Sequence, residues 1–341
     1  MSARRKTRQP HPARPRASGR RQPPAQVLVT GGAGFIGSHL VERLLADGKR
    51  VVVIDDLSTG RLANLSAVRR HPALRMIESK VSEYRGLPQL MSRAESVYHL
   101  AAAVGVENVV KSPIATIRTN LDETEVVLET AAPHGVPLLI TSTSEVYGRS
   151  QKSSFSENDD LLIGPPDRGR WSYACSKLMD EFLALAYARE RRLPVVIARL
   201  FNTVGPRQTG RYGMVLPRFI EAAKRSRPLQ VHDDGEQSRC FCYVQDAVEA
   251  LVRLQHTPAA RGEVFNVGST EEISIRELAR LVIEVLGSRS PIEFVPYDKA
   301  YAPGFDDMRR RRPNVDKLES VTDFRPSTLL RRIIQLTAEA V

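Results

Sequence analysis

In the stretch "SYACSK", Tyr173 and Lys177 stand four residues apart, which on a helix puts both side chains on one face, one turn from each other. An ammonium beside a phenol favours the phenolate. A phenolate near neutral pH can take the proton of a hydroxyl group while a hydride leaves the same carbon. Such pairs arise on many helices by chance, so the residues upstream decide. There "LLITSTSEVYG" carries an apolar run into Thr141, Ser142, Thr143, Ser144 and Glu145. Strands leave a core through Ser and Thr readily, but four hydroxyls and a carboxylate in succession also suit a surface that faces a ligand.

A second constellation lies near the start of the folded part. Gly31, Gly34 and Gly37 form G-x-x-G-x-x-G in "GGAGFIG", between the apolar run "QVLVT" and the amphipathic run "SHLVERLLADG". Glycine lets the backbone turn tightly and come close to a pyrophosphate, which then sits at the positive end of the helix. Asp55 ends the next apolar run, "RVVVIDD", 18 residues after Gly37. A carboxylate there accepts both hydroxyls of an adenosine ribose and repels a 2′-phosphate, which predicts NAD rather than NADP.

These groups need a scaffold, and the chain alternates apolar strands with amphipathic helices from Gln26 onward. That pattern predicts α/β architecture: a doubly wound Rossmann sheet of parallel strands buried on both faces, with a smaller C-terminal α/β lobe that binds substrate. The NAD-binding domain is expected over 26–204, with returns to the sheet from about 239–270, and the lobe over 205–238 and 271–341. Residues 1–25 are expected to be a disordered tail, because they are rich in Arg and Pro and poor in large apolar side chains.

The net charge of +11 belongs mostly to that tail, which carries eight Lys or Arg and no acid, leaving 11 − 8 = 3 for the rest. Nucleic acid is therefore not an expected partner of the folded part. No apolar run approaches the ~20 residues that cross a bilayer. The three cysteines (Cys175, Cys240 and Cys242) are too few for a disulfide framework and lack the His or Cys neighbours of a metal site. A cytoplasmic enzyme without a metal is the expectation.

The motifs "TGGAGFIGSHL", "DDLSTG", "HLAAAVGV", "TSTSEVYG", "SYACSK", "RLFNTVGPR", "SRCFCYVQDAVEAL", "FNVGS" and "RRRPNVDK" together resemble the extended short-chain dehydrogenase/reductase family. The resemblance is to its NAD-dependent nucleotide-sugar epimerases, dehydratases and decarboxylases, and it covers roughly residues 26–330. It implies a UDP-sugar substrate, NAD as cofactor and a homodimer formed through a helix bundle. For the cofactor it implies contacts from Gly31, Gly34, Phe35, Ile36 and Gly37, and from Asp55, Asp56, Ser58, Thr59 and Gly60. Further along it implies Lys80, Val81, Leu100, Ala101, Ala102, Ala103, Asn120, Thr141 and Ser142, with Tyr173 and Lys177. Lys80 departs from the pattern, since relatives place an Asp there facing adenine, and so does Asn314, where Asp is usual.

For catalysis the resemblance implies Thr143 at the sugar O4 beside the base Tyr173 and Lys177, with Ser144 and Glu145 next to them. For substrate it implies Asn202 and Arg239 at the diphosphate, Arg311 at the diphosphate or the sugar, and Val215, Leu216 and Pro217 near the base. Val106, Val231 and His232 complete the expected lining. All such enzymes first move a hydride from C4 to NAD, giving a 4-keto sugar. Ser144 stands where 4,6-dehydratases carry Asp, which argues against dehydration. Ser-Glu resembles UDP-glucuronate decarboxylases. The loop "NTVGPRQTGRYGMVLPRF" and "SYACSK" resemble UDP-glucuronate 4-epimerases, and Arg207 and Arg211 there suit a bidentate clamp on a uronate carboxylate. On these residues 4-epimerisation of UDP-glucuronate to UDP-galacturonate is expected, with UDP-glucuronate decarboxylation or UDP-glucose 4-epimerisation as alternatives. A non-catalytic NAD-binding regulator is the reading from another class, and the presence of both Tyr173 and Lys177 disfavours it.

Overall fold

The computed structural model describes residues 25–104, 112–210, 214–296 and 308–340. Its strands are β1 (Gln26–Thr30), β2 (Arg50–Asp55), β3 (Leu74–Glu78), β4 (Ala94–His99), β5 (Leu138–Thr143), β6 (Val195–Leu200), β7 (Thr203–Val204), β8 (Leu229–His232), β9 (Ser238–Cys240), β10 (Cys242–Tyr243), β11 (Glu263–Val267), β12 (Glu272–Ser274) and β13 (Ile292–Val295). Its helices are α1 (Phe35–Ala46), α2 (Leu87–Met91), α3 (Pro113–Ala131), α4 (Trp171–Arg191), α5 (Val215–Lys224), α6 (Val244–His256), α7 (Ile275–Leu286), α8 (Asp316–Thr322) and α9 (Leu330–Glu339).

Seven strands form one parallel sheet in the order β11-β6-β5-β4-β1-β2-β3. The sheet is buried on both faces, which is why its strands are apolar without alternation. Val27, Val29, Val51 and Val53 face α1 and α6, packing on Leu40, Leu44, Ala247 and Leu251. Leu28, Val52 and Ile54 face the other way, onto Val127 and Leu128 of α3 and Ala184 of α4. The strand order reverses beside β1, so a crevice opens at the carboxyl ends of β1 and β4; ligands of doubly wound sheets bind at this switch point.

A second core joins α5, α7 and α9 around β8, through Leu216, Phe219, Leu229, Leu278 and Ile333. Here α7 shows how local sequence sets an element's limits. Ser274 and Glu277 form a capping box at its start, and Gly287 closes it in the left-handed conformation at φ +59°. Between the two cores, residues 308–314 cross from one to the other: Ser238 donates to the carbonyl of Arg309, and Phe155 to that of Arg312.

Candidate active site

Thr143 is the last residue of β5 and the cap of a short 3₁₀ turn, Ser144–Tyr147; its hydroxyl accepts from the Glu145 amide at 3.2 Å. That cap turns the chain so that Thr143, Ser144 and Glu145 all line one cleft of about 740 Å³ at the carboxyl ends of the sheet. Thr141 and Ser142 line it too, but their hydroxyls are spoken for: Thr141 donates to the His99 carbonyl, and Ser142 to Glu181. Glu181 is in turn gripped by Arg199, 2.7 Å away, with both side chains buried.

The helix α4 delivers Tyr173 and Lys177 to the same cleft, as their spacing predicts. The Lys177 ammonium lies 2.7 Å from the Asp180 carboxylate, both buried. Burial pushes the Tyr173 phenol far above its ordinary range, and the nearby Glu145 charge pushes it further; a hydrogen bond with Thr143 and the Arg311 cation act the other way. Glu145 stands 3.4 Å from the Arg311 guanidinium and 3.7 Å from that of Arg170. The reacting corner thus holds a phenol, two hydroxyls, a carboxylate and three cations.

The nucleotide end fits NAD. The first turn of α1 has neither a side-chain cap nor an acidic residue, so its N–H groups are available to a pyrophosphate. Gly31 has φ +71°, and a Cβ there would meet the Ala101 nitrogen at 2.7 Å, so the ends of β1 and β4 can approach this closely only with glycine. At Gly37 a Cβ would meet the Gly31 carbonyl oxygen at 2.1 Å. Asp55 is buried at the end of β2, accepts from the amides of Ala33 and Leu57, and lines the cleft. Burial raises its pKa, while those backbone donors hold the carboxylate down.

Most of the expected residues meet in this cleft: Phe35, Ile36, Asp56, Ser58, Thr59, Lys80, Val81, Leu100, Ala102 and Ala103 on the nucleotide side, and Asn202, Val215, Leu216, Pro217, His232, Arg239 and Arg311 on the other. Lys80, the departure from the family pattern, pairs with Glu83 at 2.9 Å. Four of the expected residues do not line the cleft. Arg207, expected as a carboxylate clamp, has its guanidinium on Glu42 and Ser38 of α1, away from the cleft. Val231 is fully buried in the core around β8. Asn120 acts from behind, accepting from the Ala103 amide at 2.7 Å and donating to Ser176. Gly60 stands against Asp55, whose carboxylate a Cβ would strike, and does not line the cleft itself. Val106 and Arg211 lie outside the described residues.

The structure adds Arg170, Glu123, Gln208, Arg218, Gln230 and Gln237 to the lining. Glu123 accepts from the amides of Val81 and Ser82, fixing the chain beside the nucleotide end. Its signal in the sequence is a carboxylate on the apolar face of α3, in register with Val127. Arg170 gives a comparable signal: a cation just before the N-terminus of a long helix, where the helix dipole disfavours it, needs an anion nearby.

Comparison with known proteins agrees with this geometry. The family described as "NAD dependent epimerase/dehydratase family" matches residues 27–268. The chain is 40% identical over 301 residues to the UDP-N-acetyl-alpha-D-glucosaminuronate decarboxylase of Bacillus cytotoxicus, covering 88% of this chain and 92% of that one. It is 35% identical over 329 residues to UDP-glucuronic acid decarboxylase 3 of Arabidopsis thaliana, covering 93% and 89%. Among solved structures, the UDP-glucuronic acid 4-epimerase of Bacillus cereus, in complex with UDP-glucuronic acid and NAD, superposes with a TM-score of 0.83 at 27% identity, covering 92% of this chain and 98% of that one. A matched family profile over most of the chain, with the glycine turn, Asp55, Tyr173 and Lys177 gathered in one cleft, establishes that this protein belongs to the NAD-dependent epimerase/dehydratase family.

Proposed function

We propose that the protein is an NAD-dependent decarboxylase of a UDP-hexuronic acid, oxidising C4 and then releasing the C6 carboxylate as carbon dioxide. When bound, NAD supplies the acceptor and later the donor of the C4 hydride. Tyr173 takes the proton of the 4-hydroxyl, and Thr143 holds the same oxygen. Both Lys177 and the positive charge of the oxidised nicotinamide favour the phenolate.

The observation that carries the second step is the placement of Glu145, beside Tyr173 and between Arg170 and Arg311. A uronate carboxylate brought next to Glu145 meets a like charge at close range, which destabilises it as an anion. In a 4-keto uronate the C5–C6 bond can break with its electron pair passing to the ketone oxygen, so that the carboxylate leaves as neutral carbon dioxide. The two guanidiniums stabilise the resulting enolate, and a proton from solvent or a cleft group completes C5.

A second reading, 4-epimerisation of UDP-glucuronate, draws support from the likeness to the Bacillus cereus epimerase and from Arg211 as the remaining clamp candidate. Incubating the protein with NAD and, separately, UDP-glucuronate, UDP-N-acetylglucosaminuronate and UDP-glucose tests both, with products identified by NMR. A UDP-pentose or its 4-keto form from a uronate is expected; UDP-galacturonate would transfer the assignment to the epimerase, and UDP-galactose alone would remove the uronate.

We also infer a cytoplasmic homodimer. The packed pair α3 and α4 leaves Ile114, Met179 and Phe182 more than half exposed, an apolar strip that the same helices of a second copy would cover.

A further inference from the structure

Behind Lys177 lies a polar cluster that, Ser142 apart, does not reach the cleft. Asp180 is 1% exposed, lines no part of the cleft, and holds the Lys177 ammonium at 2.7 Å. Its surroundings offer little else that is charged. On α4 itself, Glu181 is taken by Arg199. From β5, Ser142 donates to Glu181. From α3, Thr124 faces both Asp180 and His99, and lies 3.2 Å from the His99 ring. From β4, His99 also meets Thr30 at 2.7 Å, and burial keeps its ring neutral. Burial raises the Asp180 pKa, and the Lys177 ammonium and the Thr124 hydroxyl work against that rise.

A lysine side chain is long and flexible, and its ammonium is a compact point charge that must be placed to be useful. A buried carboxylate one turn along the same helix places it before any ligand arrives. The same carboxylate also subtracts from what Lys177 does to its neighbour, because the phenol of Tyr173 then faces an ion pair rather than a lone cation. We propose that Asp180 is the positioning residue of this site: it fixes the Lys177 ammonium and moderates the field that Lys177 exerts on Tyr173.

The proposal rests on the reading of Tyr173 as the base, and its test separates the two. Asp180→Asn keeps a hydrogen-bond acceptor and removes the charge. Tyr173 and Asp180 are seven positions apart on α4, a rise of about 10.5 Å, and the Asp180 charge raises the phenol pKa, so its loss should lower that pKa by roughly one unit. The Tyr173 phenol is titrated by ultraviolet difference spectroscopy against a Tyr173→Phe control, with NAD bound, and the acid limb of kcat/KM is measured in parallel. In Asp180→Asn both should move to lower pH by about the same amount, whereas Asp180→Glu should leave both in place. Asp180→Ser carries the same expectation as Asn should Asn not fold. A phenol titration that moves while the rate limb stays supports the positioning role and removes Tyr173 as the base. A folded Asp180→Asn whose phenol titrates as in the parent overturns the proposal, whatever its kcat.

Discussion

At the scale of single residues, the cleft works by desolvation, and charges are placed to offset it. Tyr173 is a phenol in a site that by itself disfavours the phenolate, so its usefulness depends on the cations around it. Tyr173→Phe removes one oxygen and should lower turnover by about 10²–10⁴-fold while NAD binding, measured by fluorescence titration, stays within a factor of two or so. His99 gives a second prediction. Burial lowers its pKa from 6.5 to about 3, so the unfolded chain binds a proton that the folded one refuses. The stability this represents is complete above pH 6.5 and is lost as the pH falls toward about 3. Near pH 5 the loss is roughly 2 kcal/mol. Urea midpoints at neutral and acid pH should show it, and His99→Gln should flatten the dependence.

At the scale of elements, the strand–turn–helix around Gly31 and Gly37 was legible in the sequence because its geometry is local: spacing alone implies the close approach that the structure shows. Gly37→Ala sets a Cβ 2.1 Å from a backbone oxygen, and no flexible side chain is there to yield. It should abolish measurable NAD binding and lower the melting temperature. Gly48→Ala, also at positive φ (+76°) but with nothing within 4 Å, should cost about 1 kcal/mol of backbone strain and leave NAD binding intact. The Tyr173–Lys177 face was legible for the same reason, whereas the Thr143 cap, which turns the chain into the cleft, appears only in the structure. Arg207 was not. Its partner Glu42 lies on α1, and the loop reaches it with Arg207 itself at φ +71°, a conformation that residue type does not announce. Asn120 and Val231 illustrate the companion limit: both come from elements at the site, but side-chain direction places one behind the lining and the other inside a core.

At the scale of the whole molecule, two cores are joined across the cleft by residues 308–314. In that segment Arg309 pairs with Asp234, Arg310 with Glu272 and Arg311 with Glu145. Four successive arginines read in sequence as a basic run; folded, three of them pair with acids on three separate segments, and one of the three enters the reacting corner. The parallel sheet followed from the alternation of apolar runs and helices, while its strand order and these long-range pairings come from the folded chain. The exposed Met179 and Phe182 belong to this scale too. Phe182→Arg should convert a dimer to a monomer in analytical ultracentrifugation, and a parent protein that already sediments as a monomer would remove the dimer.

If the cleft lets a uronate lose its carboxylate after C4 is oxidised, carbon 6 must leave the nucleotide sugar. The direct measurement follows carbon 6. With UDP-glucuronate labelled at C6 by carbon-13, NAD present and the reaction run to completion, the label should leave as carbon dioxide and the nucleotide sugar should become a five-carbon sugar. Label retained in UDP-galacturonate would contradict decarboxylation.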